Sequence, residues 1–170
     1  MDLEVDAVVL GGGIAALWTA NRLKREGFST ALLTDAELGA GQTLAAQGVI
    51  HGGLKYAIGG KLTDASEALA EMPGRWRKCL DGEGELDLSS ARVLSETQLL
   101  WSLPSVASKV VAFFGTRALK NRADQVPRSS FPPPFDDPAY RGQIFELGEM
   151  VLDPVSVVAA LGAGIEDVAW

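Results

Sequence analysis

A glycine turn set between an apolar run and an amphipathic run constrains this chain more than any other feature. Residues 5–10 read Val-Asp-Ala-Val-Val-Leu, a short β-branched run of the kind that forms a central parallel strand buried on both faces. Gly11-Gly12-Gly13 follows at once. From residue 13 to residue 26, Ile14, Leu17, Trp18 and Leu23 recur at helical spacing, Arg22, Lys24 and Arg25 supply charge, and Gly27 stands where a helix would stop. Residues 28–34 then read as a second strand. Strand, tight turn, helix and strand in this order predict a parallel pair joined by a right-handed crossover.

The turn itself carries Gly11-x-Gly13-x-x-Ala16, the spacing of a dinucleotide fingerprint with alanine in third place. Gly11 permits the sharp turn, and Gly13 lets a pyrophosphate touch the backbone. Ala16 lets the helix pack close to the strand. Gly12, Ile14 and Ala15 complete the anion cradle, because amides at a helix N-terminus point partial positive charge at phosphates without needing a lysine. Such a pattern is weak alone, but here it lies between a predicted strand and a predicted helix. The fold class expected is therefore α/β, a Rossmann-like FAD/NAD(P)-binding βαβ domain. The acid that accepts from the adenosine ribose is expected at the end of the second strand. Asp35 is favoured over its rival Thr34, because a carboxylate can accept from both ribose hydroxyls.

Beyond Asp35 the punctuation changes. Residues 38–53 read as a loop, a short helix and another glycine turn. Residues 61–80 have helical character interrupted by Pro73-Gly74, residues 87–101 suggest one or two strands, and residues 104–120 a further helix. Residues 127–138 contain five prolines and predict an extended surface connection. Residues 143–147 read as a strand and Gly148-Glu149 as a turn. Asp153-Pro154 reads as an N-cap with proline at the first helical position, before a helix over 155–161. No internal repeat is visible.

A net charge of −7 with no Lys/Arg run argues against nucleic acid as a partner. No apolar stretch approaches the roughly 20 residues that span a bilayer, and the acidic first residues are unlike a secretory signal. A cytoplasmic protein is expected, with peripheral membrane contact left open. The single cysteine, Cys79, has no metal-ligand spacing around it and reads as an inert thiol that is buried or half-buried. Trp18, Trp76, Trp101 and Trp170 read as core or interface residues.

With the fingerprint in view, Gly41-Gln42-Thr43 and the run Gly48-Val49-Ile50-His51-Gly52-Gly53-Leu54-Lys55-Tyr56 make the chain resemble the flavoprotein family of D-amino-acid oxidase, glycine oxidase, glycerol-3-phosphate dehydrogenase and 2-hydroxyglutarate dehydrogenase. The resemblance covers nearly the whole chain, and Glu149 to Pro154 looks like the family's return into the FAD domain. It implies FAD rather than NAD. It also implies that Gln42 and Thr43 contact the pyrophosphate and ribityl chain, with Gln47, Gly48 and Val49 near the isoalloxazine. Residues 1–60 and about 143–170 would then form an incomplete FAD-binding domain. Residues 61–142 would be an insertion toward a mixed α+β substrate domain.

His51, the only histidine, is a candidate to contact or anchor the ring or to handle a substrate proton, against a packed or solvent-facing imidazole. Two departures stand out. The family's strand-two Glu followed by a basic residue is here Asp35-Ala36, and its serine-rich flavin loop is here Leu44-Ala45-Ala46. Members of the family are also much longer. The implied activity is an FAD-dependent oxidoreductase taking a hydride from a CH–NH or CH–OH carbon of a small amino- or hydroxy-acid-type substrate. The alternative is a truncated or split-subunit FAD-binding fragment that needs a C-terminal half or partner subunit.

Overall fold

The structure is a computed structural model describing residues 4–53, 69–106 and 123–165. The chain divides into two compact units: residues 1–49, 74–94 and 152–170 form the first, and residues 50–73 and 95–151 the second. The first unit therefore takes in residues 74–94 as well as the glycine turn, and the second holds the 143–147 segment.

In the first unit, strand β1 (Ala7–Leu10), helix α1 (Ile14–Arg25) and strand β2 (Thr30–Leu33) form the expected crossover. β1 and β2 are parallel, with Ala7 opposite Thr30 and Leu10 opposite Leu33. α1 seals the pair with Leu17 and Ala20, which are fully buried together with Leu32. Two further helices belong to the description, α2 (Met72–Leu80) and α3 (Pro154–Ala163). α3 lies against α1, where the Asn21 amide donates to the Leu161 carbonyl at 2.9 Å and Lys24 Nζ donates to the Gly164 carbonyl at 3.1 Å. Val157 and Leu161 close this side of the core, and Cys79 is buried as expected.

The expectation that β1 is buried on both faces is corrected. Val8 is 54% exposed and Leu10 75%, and Leu33, the register partner of Leu10, is 50% exposed. The physical reason is that β1–β2 is a two-stranded sheet whose side chains alternate between faces, and α1 covers only one of them.

Several local expectations also shift. Residues 38–46 form no regular helix. They make successive turns, with Leu44 N–H donating to Gly39 O at 3.0 Å and Ala45 N–H to Gly41 O at 3.2 Å. Helical residues 69–70 are separated from α2 by a turn at Glu71, so the expected interruption is present; Pro73-Gly74 sits just after it, in the first turn of α2, where a proline lacks only an amide that would be unpaired anyway. Asp153 is the N-cap residue of α3 with Pro154 at the first helical position, as expected, but its side chain makes no capping bond. The carboxylate accepts from Arg92 Nη2 at 2.9 Å, while Ser156 Oγ donates to the Asp153 carbonyl at 2.8 Å.

In the second unit, strands β4 (Gln98–Trp101), β5 (Ala123–Gln125) and β6 (Ile144–Leu147) form an antiparallel sheet in the order β4-β6-β5. Ile144, Phe145 and Leu147 bury its centre. Two short strands, β3 (Val93–Ser95) and β7 (Val151–Leu152), pair with each other, so residues 87–101 hold two strands. Within 104–120 the described part is a 3₁₀ turn, Pro104–Val106; the rest of that expected helix lies outside the described residues, as do residues 61–68, Lys55, Tyr56 and Trp170.

The proline-rich stretch is a folded loop rather than an extended strap. Arg128 donates to the carbonyls of Phe135 at 2.7 Å and Asp137 at 2.5 Å, its guanidinium lies 4.9 Å from the centroid of the Phe131 ring, and Phe131 is buried. An arginine with several donors can satisfy carbonyls that proline-rich backbone leaves without partners. Trp101 is half exposed, its ring 5.6 Å from that of Phe135.

Glu85 is the polar anchor of the first unit. Its carboxylate accepts from Trp18 Nε1 at 3.2 Å and from Arg75 Nη2 at 2.6 Å, with Arg22 Nε 3.7 Å away, and the Trp18 ring packs 4.9 Å from that of Trp76. The Arg75 hydrogen bond holds this carboxyl below the ordinary glutamate range, against the opposing effect of burial. A depressed folded-state value stabilises above the unfolded value near 4.5 and loses that stabilisation as pH falls through the folded one. Urea midpoints measured from pH 6 to pH 3 are expected to fall across the acid limb. Glu85→Gln should flatten that limb and cost on the order of 1 kcal/mol at neutral pH.

Candidate cofactor-binding site

The glycine turn continues directly from β1. Gly11 N–H donates to the Leu33 carbonyl at 2.7 Å, so the two strands stay bonded to the last residue before the chain turns away. Gly11 then adopts φ +102°, a conformation that side chains with a Cβ rarely take. Gly13 is the N-cap of α1 with no side-chain cap, and no acidic residue lies in the helix's first turn. The amides there have no intrahelical partner, and the first turn of the helix supplies no counter-charge to the positive end of its dipole.

Thr43 meets this helix end. Its hydroxyl accepts from the Ile14 amide at 3.0 Å, which leaves the hydroxyl proton free to be donated elsewhere. Gly39 N–H donates to the Gly12 carbonyl at 2.7 Å, so the second segment is tied to the turn at two points. Thr34 donates its hydroxyl to the Ala36 carbonyl at 2.9 Å, and Asp35, just past β2, is exposed. Gln42, Ala15 and Gln47 are exposed as well, and Val49 is partly buried.

Gly48 is glycine for a reason the motif alone does not give. Its carbonyl accepts from the Leu152 amide at 2.8 Å, its φ is +72°, and a Cβ there would overlap the Leu152 carbonyl oxygen. The first unit thus brings Gly11, Gly12, Gly13 and Ile14 together with Thr43, and packs Gly48 on Leu152.

His51 belongs to the second unit. Its side chain is 55% exposed, and Nδ1 lies 3.0 Å from Oε2 of Glu149. Glu149 is only 7% exposed, and its other oxygen accepts from the Gly52 amide at 2.8 Å. Gly52 and Glu149 line a cavity of about 430 Å³ with Pro73, Thr97, Asp124 and Glu146. Sequence reasoning takes Glu149 as part of a turn and misses it as a site residue. The one available signal is an acid set directly before the apolar run Met150-Val151-Leu152.

Strand, glycine turn and helix, with a second segment seated on the turn through Thr43, define a dinucleotide-binding unit of the α/β class. The chain belongs to the family of FAD dependent oxidoreductases (DAO), whose profile matches residues 6–167. The family's cofactor is FAD, which decides against NAD.

The probable FAD-dependent oxidoreductase PA4991 of Pseudomonas aeruginosa is 45% identical over 159 residues, covering 94% of this chain and 41% of that protein. The crystal structure of PA4991 superposes with a TM-score of 0.74 at 37% identity, over 98% of this chain and 38% of that one. Glycine oxidase from Geobacillus kaustophilus, at a TM-score of 0.67, 15% identity and 94% and 44% coverage, shares the fold. The chain thus spans about two fifths of the length of these relatives. Among the described residues no helix is long and apolar enough to cross a membrane.

The Gly48 geometry makes a stability prediction. Gly48→Ala forces both a left-handed alanine and an overlap with backbone, and should destabilise by about 2–4 kcal/mol. The check is the denaturant midpoint of the variant against that of Gly41→Ala, a positive-φ control with φ +77° where a Cβ would meet nothing.

Proposed function

We propose that the chain is part of an FAD-dependent oxidoreductase acting on the CH–NH or CH–OH carbon of a small amino- or hydroxy-acid-type substrate. The observation that carries this reading is the α1 N-terminus, where no acid lies in the first turn and the Ile14 amide donates to the Thr43 hydroxyl at 3.0 Å, leaving that hydroxyl's proton to be donated, beside a turn with open space at Gly11. This donor set suits a pyrophosphate, which needs several neutral donors and no competing acid.

In this reading Gly11, Gly12, Gly13, Ile14 and Ala15 cradle the pyrophosphate, Asp35 accepts from the adenosine ribose, and Gln42 and Thr43 bind the pyrophosphate and ribityl chain. Gln47, Gly48 and Val49 lie by the isoalloxazine, and His51 handles the substrate proton. Bound FAD supplies a hydride acceptor, and the protein's share is binding, orientation and electrostatics. The first unit serves the cofactor, the second begins the substrate domain, and the setting is cytoplasmic.

A second reading has its own support. The exposed Val8, Leu10 and Leu33 are an apolar sheet face of the kind a further polypeptide covers, and this favours a chain that binds FAD without independent catalysis. Titrating FAD against thermal stability separates the two, because a ligand of the native state raises the midpoint by mass action. Under the first reading FAD raises the midpoint of the chain alone and substrate bleaches the flavin absorbance. Under the second, both effects wait for a supplied C-terminal half. Gly13→Val, whose Cβ would stand 3.3 Å from Thr43 Oγ1 and fill the cradle, should weaken FAD binding at least about tenfold under either. Unchanged affinity in this variant would remove the cradle assignment.

A further inference from the structure

We propose that Glu149 is a positioning residue that fixes where the His51 imidazole carries its proton, on Nδ1, so that Nε2 is the ring's proton acceptor. The accepting role rests on the functional reading above; the positioning does not.

Both oxygens of the Glu149 carboxylate are engaged by one short stretch of chain. Oε1 accepts from the Gly52 amide at 2.8 Å, and Oε2 lies 3.0 Å from His51 Nδ1. An ionised carboxylate only accepts, so a neutral imidazole hydrogen-bonded to it must carry its proton on Nδ1. The second bond holds the backbone next to the ring, which fixes the ring's base as well as its tautomer.

The burial pattern argues for orientation over stability. Glu149 is 7% exposed, between the buried Leu147 and the buried Met150 and Leu152 in sequence, whereas the His51 side chain is 55% exposed. Burying a carboxylate is costly unless its oxygens are bonded, and a half-exposed histidine returns little of that cost as an ion pair. What the arrangement secures is a single ring state beside a cavity of about 430 Å³ that Gly52 and Glu149 line, within the size range of small-ligand sites.

Oxidation of a CH–OH or CH–NH carbon breaks its C–H bond, whose electron pair would leave with the hydrogen as hydride, for which bound FAD would be the acceptor. It also breaks the O–H or N–H bond, whose electron pair becomes the new C=O or C=N π bond. The heteroatom's proton goes to Nε2, and the resulting imidazolium keeps its Nδ1–H on the Glu149 carboxylate, which offsets the new charge.

His51 is the only histidine in the sequence, so its ring nitrogens can be read in the ¹⁵N-labelled, flavin-free chain without assignment. Long-range ¹H–¹⁵N correlation spectra above the ordinary histidine range of about 6.5 are expected to show a pyrrole-like Nδ1 and a pyridine-like Nε2. In Glu149→Ala the pattern should move toward the Nε2–H form that free histidine prefers. A wild-type spectrum dominated by Nε2–H overturns the positioning proposal and needs no variant to fold. So does a folded Glu149→Ala that keeps the wild-type pattern. The accepting role is tested separately by substrate-driven bleaching of the FAD-loaded protein, completed by its C-terminal half where that is required. His51→Asn should slow bleaching by about 10²–10⁴-fold. A loss below tenfold with the Nδ1–H pattern intact overturns the accepting role and leaves the positioning standing.

Discussion

Two strands that run in the same direction cannot be joined by a tight turn, so β1 and β2 oblige the chain between them to cross over as a helix. That single requirement organises the first unit. The helix must start where β1 ends, which puts a sharp turn at Gly11 and the first amides of α1 at the carboxyl end of the sheet. The same edge is where open α/β sheets present their ligand sites, because the loops there are free of sheet hydrogen bonding. The open start of α1 is thus a by-product of parallel pairing, with no acid in its first turn and the Thr43 hydroxyl taking the Ile14 amide.

The second constraint is the return of the chain along residues 148–152. In the first unit Leu152 bonds to Gly48 so closely that only glycine fits. In the second unit Ile50 N–H donates to the Met150 carbonyl at 2.9 Å, and Glu149 receives the Gly52 amide and His51 Nδ1. One short segment therefore fixes the course of residues 48–52, the run for which the family resemblance implies flavin contact. A glycine required for packing and a carboxylate that orients a ring are different devices serving the same segment.

What was legible in the sequence follows from the range of the interaction involved. The crossover, the α1 boundaries and the role of Gly11 rest on neighbours within a turn, and the pattern of Ile14, Leu17 and Leu23 carries them. Asp153 is the N-cap residue of α3 that the sequence marks, but the partner of its carboxylate, Arg92, lies 61 residues away and no local pattern shows it. The proline-rich stretch reads as extended by composition, but Arg128 collects its carbonyls into a folded loop. The interruption near Pro73 is a local signal and is legible, with a turn at Glu71 between helical residues 69–70 and α2. Glu149 stayed hidden for the same reason as the partner of Asp153: its function is defined by His51, 98 positions earlier in the chain.

The misreading of β1 is informative in another way. A strand written Val-Val-Leu at three successive positions invests apolar side chains on both faces, and each is worth about 1.5–3 kcal/mol when fully buried. α1 covers one face, while Val8, Leu10 and Leu33 on the other remain half or more exposed. A two-stranded sheet that met water there would gain from polar residues at those positions, as half-exposed strands alternate. The residues written into β1 are those of a strand covered on both sides, and α1 supplies that cover on one side alone, which is why composition reads the strand as more buried than it is.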